Sequence, residues 1–271
     1  MITHTIPDPT GTTETERPHI RPQRQWWALT SRGLTGIVRN GEIIFAMIAP
    51  AFLAVCFYVP LRSLMDAYPG MNYAQYLMPI IALQSVGFVA SASAMRSSMD
   101  GLRGINLRFR VMPMSAFVPV AARGSANAVL LTISLVFATI ASLLIGWRPH
   151  GGFLGTVGLY AVALTVGLLV AVIADALGLL ASSPEATSQL LGLPILILGM
   201  LSTGFVPESQ FPEWIQPFVR NQPVSQFSNA MRAFNDGTAT WSVVAPTVYW
   251  CLGMAGLAAA LLLWAERRLR S

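Results

Sequence analysis

Three histidines, two cysteines and twelve carboxylates are the main stock of acid–base, nucleophilic and metal-binding groups in this 271-residue chain. They form no catalytic set. The sequence contains no H-E-x-x-H, no G-x-S-x-G and no paired cysteines, so neither zinc hydrolysis nor a serine nucleophile elbow is indicated. His4, His19 and His150 lack metal-ligand spacing. Cys56 and Cys251 each lie inside an apolar run and read as small core residues rather than a disulfide or a metal site. Lysine is absent altogether. A phosphate-cradling P-loop needs its Lys to reach the β- and γ-phosphates, so this chain cannot hydrolyse ATP through one. If ATP drives it, the ATPase is another chain. No cofactor and no metal is expected.

Asp175 is the one acidic residue well inside an apolar run. Intramembrane acids mark functional sites by default. Its place near one end of the run favours an interfacial or paired role, with Arg123 at the same depth as the partner; the alternative is a step in a proton pathway.

The elements that must position these residues are membrane helices. The chain is 54% hydrophobic and 11% charged, against about 25% charged in a soluble domain, and its mean hydropathy is +0.57. A spanning helix needs about 20 mostly apolar residues. Stretches of that kind fall at about 43–61, 74–95, 117–146, 153–181, 187–206 and 243–264. The third and fourth exceed one crossing, so they tilt or extend beyond the bilayer. Residues 1–22 are rich in Pro, Thr and charge and lack an apolar signal core; they read as a disordered tail. Arginine placement predicts orientation. Thirteen arginines fall in the N-terminal segment, after span two and at the C-terminus, against Arg62, Arg148, Arg220 and Arg232 on the other side. Both termini are therefore expected in the cytoplasm, with six spans between them. The basic excess follows loops, not a nucleic-acid surface.

Three non-spanning segments stand out. In Gln23–Asn40, Trp26, Trp27, Leu29, Leu34, Ile37 and Val38 share about half a helical wheel, opposite Arg24, Arg32 and Arg39. This predicts an in-plane amphipathic helix with Trp at headgroup depth, either a plain anchor for span one or an elbow that also touches a cytoplasmic partner. In Ser97–Ser115, Leu102, Ile105, Phe109 and Met112 share one helical face, and Asp100, Arg103 and Arg110 lie on another. Leu107–Val111 alternates like a strand, so the period is ambiguous. The segment is either a solvated basic loop near anionic lipid or a short helix that docks on an ATPase. Gly204–Trp241 is longer than plain loops usually are. Its prolines and aromatics predict short helices near 212–219 and 224–235, broken at Asn221-Gln222-Pro223 and dipping into the outer leaflet. Spans two and five carry small and polar residues: Gln84, Ser85, Ser91 and Ser93, then Ser188, Gln189, Gly192, Pro194, Gly199 and Ser202. Helix packing accounts for any one of these. Together with Phe88, Met200 and Phe205 they are candidates for a cavity or subunit interface.

These residues resemble a known family. Asp100-Gly101 followed by Arg108-Phe109-Arg110-Val111-Met112-Pro113 looks like the intracellular loop of ABC-2 type permeases. Ser183-Pro184-Glu185-Ala186 looks like the turn that precedes their fifth span. Ser202-Thr203-Gly204-Phe205-Val206-Pro207, Phe211-Pro212-Glu213-Trp214-Ile215-Gln216-Pro217-Phe218, Asn221-Gln222-Pro223-Val224 and Ala230-Met231-Arg232-Ala233-Phe234 are similar to the daunorubicin/doxorubicin-resistance branch. The likeness covers about residues 25–265. It implies an all-α membrane domain over 23–271, with six spans, an N-terminal amphipathic helix and an intracellular coupling helix. It further implies a plasma-membrane exporter subunit that pairs with a second permease chain and a separate ATP-binding subunit. Its substrates would be amphiphilic drugs or lipids. Asp100, Gly101, Arg103, Arg108, Phe109, Arg110 and Pro113 would couple to the ATPase, beside Trp26, Trp27, Arg32 and Arg39 of the elbow. Phe211, Trp214 and Phe218 would form an outer lid. An ion-coupled carrier or a non-transporting scaffold are the competing readings.

Overall fold

A computed structural model describes residues 21–65, 72–105, 112, 114–115, 117–181 and 183–270, without the side chains of 266 and 268–270. Among the described residues all regular structure is helical. The order is α1 (Pro22–Arg39), α2 (Glu42–Met65), α3 (Tyr73–Leu102), α4 (Phe117–Leu144), α5 (Gly152–Leu180), α6 (Pro184–Met200), a short 3-10 turn (Glu208–Gln210), α7 (Gln216–Asn221), α8 (Pro223–Asn235) and α9 (Trp241–Arg270). The expected tail lies almost wholly outside the described residues.

Among the described residues five helices are long and apolar enough to cross a membrane: α2, α3, α4, α5 and α9. The remaining expected span, 187–206, is a 17-residue helix ending at Met200. At 1.5 Å per residue that is roughly 26 Å, a little under the ~30 Å hydrocarbon core. Ser183 caps its start by accepting from the Ala186 amide, with Pro184 at the first position and Glu185 in the first turn. That combination satisfies an orphan amide, presets φ and complements the helix dipole. At the other end the Gln222 amide donates to the carbonyls of Leu198 and Leu201 at 2.8 and 2.9 Å, so the chain turns away at 201–206 without leaving those acceptors empty.

α3 is the hub. It packs against α2, α4, α5, α6 and α8, and 83% of its apolar window is buried, against 11% for α9 and 22% for α2. Small residues explain the difference. Ala82, Ser85, Ala90, Ser93, Ala94 and Ser97 let neighbouring backbones approach closely. A Cβ built on Gly178 of α5 would lie 2.4 Å from the Ala94 carbonyl oxygen, so only glycine fits that crossing. α2 and α9 instead leave large side chains such as Phe52, Val59, Leu252 and Trp264 exposed, which suits lipid as their solvent.

α3 also runs further than expected. The apolar run fades at 95, yet the helix continues to Leu102. Arg96 and Asp100 are therefore helical, not loop, residues. At the far end, α8 lies across the start of α5. A Cβ on Gly155 would sit 2.2 Å from the Phe234 carbonyl oxygen, and one on Gly158 would meet the Phe234 ring.

Candidate functional site

Two buried polar clusters hold the hub, one at each end of α3. At the Arg96 end, Ser93 Oγ donates to Asp175 Oδ1 at 2.6 Å and Ser97 Oγ donates to the Asp175 carbonyl at 2.9 Å. Asn127 Nδ2 donates to Ser93 Oγ at 2.7 Å and to Asp175 Oδ2 at 3.3 Å. Arg123 is the expected ion partner of Asp175, Nε to Oδ2 being 4.0 Å. Arg96 donates to Asn127 Oδ1 and pairs with Glu42 at the start of α2. Two cations and two carboxylates, contributed by α2, α3, α4 and α5, thus form one neutral cluster. Buried charges are tolerated when paired; Arg123 meets that need by charge alone, its Nε making no hydrogen bond.

At the other end Arg232 of α8 reaches across to α3 and to the turn after α6. It donates to the carbonyls of Tyr76 at 3.2 Å, Thr203 at 2.8 Å and Gly204 at 3.0 Å, and to Asn229 Oδ1 at 3.1 Å. Its guanidinium carbon lies 3.6 Å from the centre of the Tyr76 ring, and the Tyr76 hydroxyl donates to the Thr203 carbonyl. Burial lowers the pKa of the guanidinium from its ordinary value, against the opposing influence of Tyr76 and Asp236. The planar fork supplies donors in several directions at once, which Lys does not.

The residues singled out in the sequence distribute unevenly. Asp100 and Gly101 form the last turn of α3, with Arg103 exposed just beyond. Asp100 Oδ1 pairs with Arg32 Nη2 of α1 at 3.2 Å, so α1 and the end of α3 lie side by side. Arg108, Phe109, Arg110 and Pro113 fall outside the described residues. Trp26 Nε1 donates to Ser125 Oγ of α4 at 3.1 Å, whereas Trp27 and Arg39 are exposed. Gln84 is buried, its amide lying against Gly199. Phe88 packs edge-on to Phe45, with ring centres 5.3 Å apart. Phe205 is closed off within the chain against Phe57, at 4.0 Å between ring centres. Gln189 and Met200 face outward from α6. Between α6 and α9, Trp214 is 80% exposed and Phe218 50%, with Phe211 half-buried.

Arg96, Glu42, Asn127, Arg232 and Tyr76 carry these clusters, and Gln222 closes the end of α6, yet the sequence pattern gave none of them such a role. A signal existed for two of them. Arg96 follows small residues that keep helical spacing through Ser98, and Arg232 sits within Phe227–Ala233, where Phe227, Ser228, Ala230 and Met231 are all buried.

The fold and its buried polar clusters define a multi-pass helical membrane protein. Its family follows from comparison. The model of the ABC-2 type transporter family matches residues 24–234, and the chain belongs to that family as a membrane permease. It is 37% identical over 240 residues to the doxorubicin resistance ABC transporter permease protein DrrB of Mycobacterium tuberculosis, covering 84% of this chain and 83% of that protein. It is 29% identical over 173 residues to a daunorubicin resistance ABC transporter permease protein of Streptomyces coeruleorubidus, covering 64% and 61%. The probable doxorubicin resistance ABC transporter permease protein DrrC of Mycobacterium tuberculosis is 26% identical over 240 residues, covering 88% and 87%.

Proposed function

We propose that this chain is the permease half of an ATP-driven exporter of amphiphilic drugs or lipids in the plasma membrane. A separate ATP-binding subunit supplies the energy, and a second permease chain, identical or sister, completes the pathway. In this reading α6 is a sixth crossing and both termini are cytoplasmic. Residues 97–115 meet the ATP-binding subunit, and α1 lies beside them in the membrane surface. Closure of the ATPase pair pushes these elements and shifts the permease pair between inward- and outward-facing states. Gln189, Met200 and the partly exposed Phe88 lie on the face toward the second permease, and the Phe211, Trp214 and Phe218 segment covers the exit.

One observation carries this reading beyond the family match. The Arg32–Asp100 pair sets the elbow against the end of α3, which supports a single composite surface for an ATPase to push. The drug-resistance names of the relatives support an amphiphilic cargo. Asp175 is engaged by Ser93, Asn127 and Arg123, which weighs against a carboxylate that cycles protons. The test is a tagged pull-down from native membranes in mild detergent. An ATP-binding subunit in equal amount supports the assembly, and a permease without one, repeatedly and intact, refutes it.

A further inference from the structure

Two ion pairs of opposite polarity flank the turn between α1 and α2. Arg96 and Asp100 stand four residues apart on α3, hence on one face of the helix. Arg96 takes Glu42, the first residue of α2. Asp100 takes Arg32, in the second half of α1. Between those partners lies the Asn40-Gly41 turn, where Gly41 has φ +73°, a left-handed value that favours glycine. Left alone, such a turn is the place where movement of α1 would fail to reach α2. The alternating signs also fix register, because a slip that set Arg32 against Arg96 would place like charges together.

We propose that these two pairs are a coupling staple. They bind the elbow, the start of α2 and the end of α3 into one body, so that displacement of the segment after α3 is delivered to the first span rather than absorbed at Gly41. Arg32, Glu42, Arg96 and Asp100 are positioning residues in this scheme. The proposal rests on the reading of residues 97–115 as the surface that meets the ATP-binding subunit. The Arg96–Glu42 side chains are 20% and 17% exposed, and those of Arg32 and Asp100 48% and 26%. The second pair is therefore the one to exchange; because Asp100 also acts on Arg96 one turn away, the charge-keeping Arg32→Lys and the Arg32→Asp single, which leave Asp100 in place, are read beside the exchange.

The experiment uses the complete complex with its ATP-binding subunit in proteoliposomes, with doxorubicin as the probe, and reads probe moved per ATP hydrolysed. Arg32→Asp and Asp100→Arg each lower this ratio at least fivefold, and the double variant returns it to within twofold of the parent. Arg32→Lys, which keeps the charge, stays near the parent. A staple is ruled out by single variants with the parental ratio, or by a double variant as poor as either single. Singles that no longer assemble with the ATPase make the pair structural and also overturn the proposal. A wild-type chain that recruits no ATP-binding subunit defeats the functional reading itself, before any variant is made.

Discussion

Replacing Arg232 by Ala tests how the segment between α6 and α9 is held. The side chain serves three backbone carbonyls from two elements and stacks on Tyr76. Not all of that is lost without compensation. The Thr203 carbonyl keeps the Tyr76 hydroxyl as a donor, and the Tyr76 carbonyl lies within α3. The Gly204 carbonyl loses its guanidinium partner, and an orphaned buried acceptor costs about 1–3 kcal/mol. A desolvated cation–π contact adds about 2 kcal/mol. The expected destabilisation is therefore about 3–5 kcal/mol. Arg232→Lys keeps the charge but not the fork and should lose about half as much. Titration of the detergent-solubilised protein with SDS, followed by tryptophan fluorescence, measures both. An Arg232→Ala variant within about 1 kcal/mol of the parent, the middle of the range for a typical net hydrogen bond, would refute the reasoning. So would a Lys variant no better than the Ala one.

Other perturbations give equally direct expectations. Gly155→Ala places a Cβ 2.2 Å from a backbone oxygen of α8 and should cost about 1–3 kcal/mol by overpacking; Gly253→Ala, which meets nothing within 4 Å, is the neutral control in the same titration. Asp175→Asn takes away the carboxylate that Arg123 faces, and removal of one buried partner costs about 3–5 kcal/mol. Adding Arg123→Gln should recover part of that loss, and doxorubicin uptake per folded molecule should persist in the Asn variant; a well-folded Asp175→Asn chain that no longer transports would instead mark a proton step. Reversing Arg103, Arg108 and Arg110 to Glu together should leave membrane insertion intact while uncoupling ATP hydrolysis from export, as read by paired ATPase and vesicle-uptake assays; normal export would remove those arginines from the docking surface.

The sequence made much of this architecture legible, because lipid as solvent leaves a strong mark on it. Helix starts near 43, 74, 117, 153 and 243 all correspond to observed starts, and Pro223 marked the break before α8 as proline should. The Ser183-Pro184-Glu185 turn came from the family resemblance, and the helix begins there at Pro184, three residues before the expected start at 187. The ends of helices were harder. Counting arginines as loop charges hid the last two turns of α3, since a buried, paired Arg96 carries the same letter as a solvated one. Arg123 and Asp175 could be matched by depth alone. Arg96 and Glu42 could not, because their meeting depends on how α2 crosses α3. Arg232 was invisible for a related reason: its partners are main-chain carbonyls, which no residue pattern spells. The end of α6 is met by Gln222, 22 residues beyond its last residue, whose side-chain amide donates to the Leu198 and Leu201 carbonyls.

In the proposed function this permease moves its cargo only through a separate ATPase. Inside-out vesicles carrying the chain with and without its ATP-binding subunit test it most directly, with doxorubicin accumulation followed by fluorescence quenching. Accumulation should require both proteins and hydrolysable ATP, and should survive collapse of the proton gradient. Accumulation by the chain alone, driven by an ion gradient and indifferent to ATP, would contradict the account.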